Sequence, residues 1–249
     1  MLLGDFHIHT TWSDGKLTMS EVVDLFGRSG HDVIAITDHV VNTDSLVGKV
    51  THRWKLSLTE SSFTGYRDEL EREKKRAWDE YRMIVIAGFE LTQNAITRRN
   101  SAHVLALGID EFIPADGTVE EMLRRARTRA EVLVACHPNE MSDWYANTFY
   151  LWNRRVELAE LIDRWEVACR WDVFPGVSRA RFACMGNSDF HKPEHLWAWK
   201  TLVPAEKNER AILTALREPG RLGLTQLTAT WNPFYAPDQQ PAPVGAMAG

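Results

Sequence analysis

His7 and His9 stand one residue apart in an apolar, strand-like opening segment, Leu2 to Ile8. A strand repeats every two residues, so the two imidazoles project side by side from one face, as a chelating pair requires. Alone, such a pair is a weak signal. It gains weight from Asp14, His39, Glu90, His103, His137, Asp189 and His191, each at or near an end of a short apolar run. Buried ionisable groups are costly unless paired or bound to a cation. Nine imidazoles and carboxylates so arranged fit two or three divalent metal ions better than they fit packing. The mixture of neutral imidazole and hard carboxylate suits Zn, Mn or Fe better than calcium or a thiolate zinc site.

The elements that must position these residues follow from the pattern. Strands are expected over residues 2–8, 32–37, 83–88, 102–109, 131–136, 165–169 and 182–186. Helices are expected from the capping-box patterns Thr18-Met19-Ser20-Glu21 and Thr118-Val119-Glu120-Glu121, and over about 65–82, 150–163 and 208–218. Alternation of this kind predicts an α/β fold with a parallel sheet, which a chain of 249 residues can close into a barrel. Residues at the C-terminal ends of such strands converge on the ligand site. His103 instead heads its run, and a reversed strand there would bring it to the same end. A single domain over about 1–230 is expected, followed by a loose Pro/Gln/Ala/Gly-rich tail over 231–249. Residues 41–63 form a polar insert longer than a usual connection, either a lid or a neutral surface excursion.

Composition narrows the classes. A 44% apolar and 25% charged chain has material for a large core, and a net charge of −5 argues against general nucleic-acid or anionic-membrane binding. Cys136, Cys169 and Cys184 are odd in number and set in apolar contexts, so they read as buried thiols of a reducing, cytoplasmic compartment. No Lys/Arg-led signal segment opens the sequence, and no apolar run approaches the roughly 20 residues of a membrane span. Oligomeric state has no signature here.

The motifs His7-Ile8-His9 with Ser13-Asp14-Gly15, Thr37-Asp38-His39, Gly88-Phe89-Glu90, His103, Cys136-His137-Pro138 and Ser188-Asp189-Phe190-His191 resemble those of the PHP (polymerase and histidinol phosphatase) superfamily. The resemblance spans most of the chain and implies a distorted (β/α)7 barrel holding up to three metals. By that resemblance His7, His9, Glu90 and Asp189 would hold the first ion. Glu90 would bridge to a second held by His103 and His137, and Asp14, His39 and His191 would hold the third. The interval between Glu90 and His137 lacks the inserted subdomain of members acting on nucleotides, so that branch's substrate is not carried over.

The implied reaction is hydrolysis of a phosphomonoester or phosphodiester of a small molecule or nucleotide, with a metal-bridging hydroxide as attacking group. Asp14, Glu90 and His191 would serve catalysis, with His195 either the proton donor to the leaving oxygen or a bystander histidine. Arg98, Arg99 and Lys16 are either phosphate contacts or solvated loop charges. Asp38 either orients a ligand histidine or caps a turn. The ten tryptophans either pack the barrel or wall the site for a ring-bearing substrate. Two other readings stand beside this one: a catalytically silent metal-binding module, and a metal amidohydrolase cleaving C–N bonds. The latter group often uses a bridging carbamylated lysine where this chain carries Glu90.

Overall fold

The aliphatic runs near the N-terminus form β1 (Leu2–Asp5), β2 (Val33–Ile36), β3 (His39–Val41) and β4 (Ile84–Gln93), with β1 beside β2 and both β2 and β3 beside β4, all parallel. The computed structural model describes residues 1–44, 56–95, 100–138 and 148–228. The sheet then reverses. β5 (Ala102–Ile109) runs antiparallel to β4, and β6 (Ala130–Ala135) antiparallel to β5. Parallel pairing resumes with β7 (Arg164–Cys169) on β6, and β9 (Cys184–Asn187) on β7, while β8 (Asp172–Val173) is a short antiparallel arm of β7. Just beyond β9, Phe190 forms a parallel bridge with Ile8 after β1, through His9 N to Phe190 O (2.8 Å) and Phe190 N to His7 O (2.9 Å). That bridge closes a distorted seven-stranded barrel.

Helices α1 (Met19–Arg28), α2 (Glu60–Tyr81), α3 (Val119–Arg127), α4 (Phe149–Asn153), α5 (Pro175–Ala180) and α6 (Glu209–Arg217) complete the fold. Thr18 with Glu21 and Thr118 with Glu121 form the capping boxes that their spacing implies. Strand alternation divides the core in two. Ile34, Ile36, Val85, Phe89 and Val104 pack outward against the helices, whereas Val33, Ala35, Ile86, Leu105 and Val132 fill the barrel with Ile212 and Leu216 of α6.

Three expectations need correction. The sheet is mixed rather than parallel, because β5 pairs antiparallel with both β4 and β6, the connection from β5 to β6 running through α3. The helix expected over 150–163 ends at Asn153 and continues as turns. Two further strands, β10 (Trp199–Val203) on β1 and β11 (Gly223–Gln226) on β10, went unread. Lys200 and Thr201 break the apolar pattern of β10, although both are buried. Residues 45–55 of the 41–63 insert and the whole 231–249 tail lie outside the described residues. Among the described residues no helix is long and apolar enough to cross a membrane.

Lys200 has a partner that explains its burial. Its Nζ lies 3.1 Å from Asp5 Oδ2 with both side chains fully enclosed, and Asp5 Oδ1 accepts the backbone N–H groups of Ser188 (3.1 Å) and His7 (3.4 Å). The pair therefore braces two segments that carry site residues. Removing one partner of a buried pair strands the other charge, so Lys200→Met is expected to lower unfolding free energy by about 3–5 kcal/mol. The double variant Asp5→Asn/Lys200→Met should recover much of that in chemical denaturation; a small single-variant loss would show the pair to be uncoupled.

His31 is enclosed against Phe26, and burial, with Lys200 nearby, pulls its imidazole well below its ordinary value. The unfolded chain takes up the proton first, so this contribution to stability is present above about pH 6.5 and is lost as pH falls below it. His31→Phe should flatten the acid limb of a stability–pH curve by up to about 1.4 kcal/mol per pH unit. An unchanged slope would refute the assignment.

Candidate metal centre

Glu90, near the middle of β4 and only 1% exposed, is where the site residues meet. Its Oε2 lies 3.3 Å from His7 Nε2, 3.2 Å from His9 Nε2 and 3.1 Å from His39 Nδ1. Its Oε1 lies 2.7 Å from His103 Nδ1 and 3.5 Å from His137 Nε2. Asp189 Oδ1 sits 3.4 Å and 3.5 Å from the same His7 and His9 nitrogens and 3.3 Å from His191 Nδ1. Asp14 Oδ1, nearer the surface, lies 3.6 Å from His39 Nε2 and 3.3 Å from His191 Nε2. All nine residues singled out by spacing thus converge, and above them opens a cavity of about 300 Å³. The reversal of β5 brings in His103: antiparallel pairing sets it opposite Thr92, two residues beyond Glu90.

The nitrogens turned away from this centre have partners of their own. His7 Nδ1 meets Glu166 Oε1 at 3.0 Å and His103 Nε2 meets Asn94 Oδ1 at 3.0 Å, while His39 Nδ1, which faces Glu90, also meets Thr92 Oγ1 at 2.8 Å. His191 Nδ1 lies 2.9 Å from the Asp189 carbonyl. His9 Nδ1 faces Ser13 Oγ at 3.5 Å, and that hydroxyl donates to Asp38 Oδ1 at 2.6 Å. A carboxylate only accepts, and His7 Nε2 has no hydrogen-bond partner, so the contact with Glu166 places the His7 proton on Nδ1 and turns the Nε2 lone pair inward. Asp38 also accepts from Thr10 N and Thr10 Oγ1, both at 2.8 Å, so it holds the turn and, through Ser13, the His9 ring.

This arrangement demands positive charge. His7 Nε2 and His9 Nε2 are buried with no hydrogen-bond partner, yet each faces two carboxylate oxygens at 3.2–3.5 Å. Lone pairs opposed at that distance need a cation between them, and the protein's own electrostatics say the same. Burial pushes His9 down, but Asp189 and Glu90 outweigh it and raise the ring to about 9. His7 rises against the same burial through Asp189, Glu166 and Glu90. Burial favours neutral Glu90 and Asp189, yet the surrounding imidazoles hold both well below the carboxylate range. His39, drawn down to about 3 chiefly by burial, is neutral and free to donate a lone pair. The donor sets His7–His9–Asp189, His7–Glu90–His137 and His9–Asp14–His39–His191 each lie close enough to hold one ion.

Other expected site residues fall elsewhere. His195 is buried behind the centre, where its Nδ1 accepts the backbone N–H of His191 at 3.1 Å and its ring meets Trp171 edge-on. It does not line the cavity, and burial together with Arg170 lowers it to about 4, so it supports the His191 turn instead of meeting the leaving oxygen. The Lys16 side chain is exposed and away from the cavity lining; only its backbone N–H reaches the site, donating to the His191 carbonyl at 2.8 Å. Arg98 and Arg99 lie outside the described residues, as does Trp144. No described tryptophan lines the cavity, and Trp165 stacks on Phe182 in the core.

Sequence reasoning missed Arg170 and Glu166. Arg170, in left-handed backbone (φ 51°), lines the cavity and sets Nη2 2.8 Å from Asp189 Oδ2. Glu166 is the one acidic residue inside β7, and a carboxylate interrupting an apolar strand was the available signal.

No family profile matches the sequence. The chain is 34% identical over 94 residues to an uncharacterized protein of Methanocaldococcus jannaschii, covering 35% of this chain and 33% of that one. It is 26% identical over 114 residues to the phosphoribosyl 1,2-cyclic phosphate 1,2-diphosphodiesterase of Eggerthella lenta, covering 46% and 34%. It thus spans about a third of these relatives' length. Among solved structures it matches a two-domain protein of Bacteroides vulgatus containing a predicted PHP-like metal-dependent phosphoesterase, with a TM-score of 0.65 and 21% identity over 91% of this chain and 65% of that one. The chain has the PHP-type fold.

Glu90→Gln removes one of the two oxygens around which the imidazoles gather. Metal analysis of dialysed protein should show retention abolished, and stoichiometry equal to the parent's would exclude Glu90 as the shared ligand.

Proposed function

We propose that this chain is a metal-dependent phosphoesterase hydrolysing a small phosphomonoester or phosphodiester, nucleotides included. The observation that carries the reading is that His7 Nε2 and His9 Nε2 face Glu90 and Asp189 without a hydrogen-bond partner, an arrangement that demands positive charge and that metal ions would satisfy at every donor at once. His7, His9, Glu90 and Asp189 would hold one divalent ion, Glu90 with His103 and His137 a second, and Asp14, His39 and His191 a third. Bound there, such ions would neutralise phosphoryl oxygens and acidify a water near neutral pH. Zn, Mn and Fe all suit these donors.

The chain's own residues supply the rest. The cavity of about 300 Å³ admits a phosphoryl group and a modest substituent, with Val41, Leu56 and Asn94 at its lining. Among the described residues, Arg170 is the one basic side chain besides imidazoles in that lining. With one Nη on Asp189, its fork retains N–H groups for the phosphoryl oxygens, in the planar geometry that suits them. Burial raises Asp14, but its hydrogen bond from His191 and the fields of His39 and His9 prevail and keep it ionised, so Asp14 Oδ1 accepts protons at neutral pH and does not deliver them. No lysine lines the cavity among the described residues, which weighs against the carbamylated-lysine chemistry of amidohydrolases. The Eggerthella relative, named as a phosphodiesterase, supports the bond class.

The test is phosphate release by protein reloaded separately with Mn, Zn or Fe, across nucleotides, sugar phosphates and an aryl phosphodiester. Turnover that EDTA removes and metal restores is expected. Inertness of fully metallated protein toward every ester would favour the silent module instead. Arg170→Met should raise KM about tenfold or more, a loss of roughly 1.4 kcal/mol in substrate binding, and Arg170→Lys should not restore it.

A further inference from the structure

Glu166 is a fully buried carboxylate beneath the cavity with no part in the reaction outlined above. Three N–H groups converge on it from three segments. His7 Nδ1 lies 3.0 Å and Asn187 Nδ2 2.9 Å from Oε1, and the backbone N of His137 lies 2.7 Å from Oε2. These are the segments that carry His7, His137 and, one and two residues past Asn187, the Ser188–Asp189 turn. Asn187 Oδ1 in turn accepts the backbone N–H of Phe6 at 3.0 Å, so the network also grips the strand end before His7.

Only an ionised carboxylate meets all three donors, because it accepts at both oxygens and donates nothing. A glutamine would retain one accepting oxygen and set its NH₂ against an N–H. His137 adds a second requirement, since its backbone is left-handed at φ 26° without being glycine. Such a conformation costs roughly 1 kcal/mol or more and persists only where neighbours enforce it. The short bond from its N–H to Glu166 is such an enforcement.

Resting on the metal-centre reading, we propose that Glu166 is the positioning residue of the centre: it keeps the His7 proton on Nδ1, turning Nε2 toward Glu90 and Asp189, and with the same carboxylate pins His137. One buried group thereby ties the donors of the first ion to those of the second. Carboxylates behind ligand histidines act in this way in metal proteins generally. Glu166 also lies with His7 and Cys169 within the span of a single ion. That grouping does not compete, because Oε1 and Oε2 are both taken by N–H donors and His7 Nδ1 carries its proton there.

The experiment uses zinc-loaded protein and reads zinc affinity by chelator competition and the His7 ring protonation by long-range ¹H–¹⁵N correlation. Wild-type protein should show His7 with its proton on Nδ1. Glu166→Gln should bind zinc about 10- to 100-fold more weakly and lose that His7 signature. Glu166→Asp, too short to reach both His7 and His137, should not rescue it, and Cys169→Ser should leave zinc count and affinity unchanged. Wild-type zinc affinity in Glu166→Gln would overturn the proposal. So would a His7 proton on Nε2 in the zinc-loaded wild type, a result that stands even where the variant does not fold. A zinc lost from Cys169→Ser would assign Glu166 to a separate site. Wild-type protein that binds no zinc, manganese or iron would instead overturn the metal-centre reading, and this inference with it.

Discussion

Two oxygens of one buried carboxylate lie against five imidazoles. Glu90 is 1% exposed and has His7, His9 and His39 on one oxygen and His103 and His137 on the other. Acceptor atoms opposed at such distances repel, and solvent does not reach most of them to screen the repulsion. A chain that folds in this way must hold positive charge in the gaps, as protons or as metal ions. Protons satisfy only part of the set, since His39 stays neutral while His7 and His9 become charged. The polar layer outside the cluster is the complement of that demand. Glu166, Asn94 and Asp189 O occupy the outward nitrogens of His7, His103 and His191, and Thr92 Oγ1 steadies the His39 nitrogen that faces Glu90, so the donors are aimed before any ion arrives.

The barrel meets this constraint through two irregularities. Antiparallel β5 turns the head of a strand toward the end where the parallel strands finish, which lets His103 reach Glu90. Closure relies on one bridge, Ile8 with Phe190, and just beyond it the His9 and His191 rings stack at 4.2 Å between centroids. Left-handed backbone at His137, Arg170 and Asp189 belongs to the same rim. Regular strands would carry these side chains to alternate faces; the turns redirect them to one. The cost is borne by buried hydrogen bonds, from His137 N to Glu166 and from Ser188 N to Asp5, the latter charge balanced by Lys200.

Much of this was legible in the residues. Histidine, aspartate and glutamate at the ends of apolar runs announce themselves, because nothing in packing accounts for them there, and His103 even signalled the reversed strand by standing at the wrong end of its run. The supporting groups were harder to read. Glu166 and Lys200 lie inside strands, and only tertiary pairing shows what they neutralise or accept. Arg170 follows β7 in a turn whose conformation no periodicity encodes. His195 misled for a related reason: a histidine four residues past a ligand pair invites a chemical role, whereas the 3₁₀ turn over Pro193–Trp197 folds it back under His191.

The division between aimed donors and exposed rim has a mechanistic consequence. Most of the imidazoles are held by buried partners, so the aim of the donors in the proposed centre does not depend on what enters above it. The rim is built differently: Val41 ends the edge strand β3, Leu56 precedes α2, and Arg170 sits in the turn after β7. In the proposed function, substitutions there would alter which substrate fits while the buried acceptors keep the donors in place. Arg170 joins the two parts, because the guanidinium that faces the cavity also rests on Asp189. If the proposed centre holds, an anion in the cavity would draw that guanidinium toward it and change the charge that Asp189 offers to a cation, so that substrate and metal binding would be coupled through a single side chain, by linkage equally in both directions.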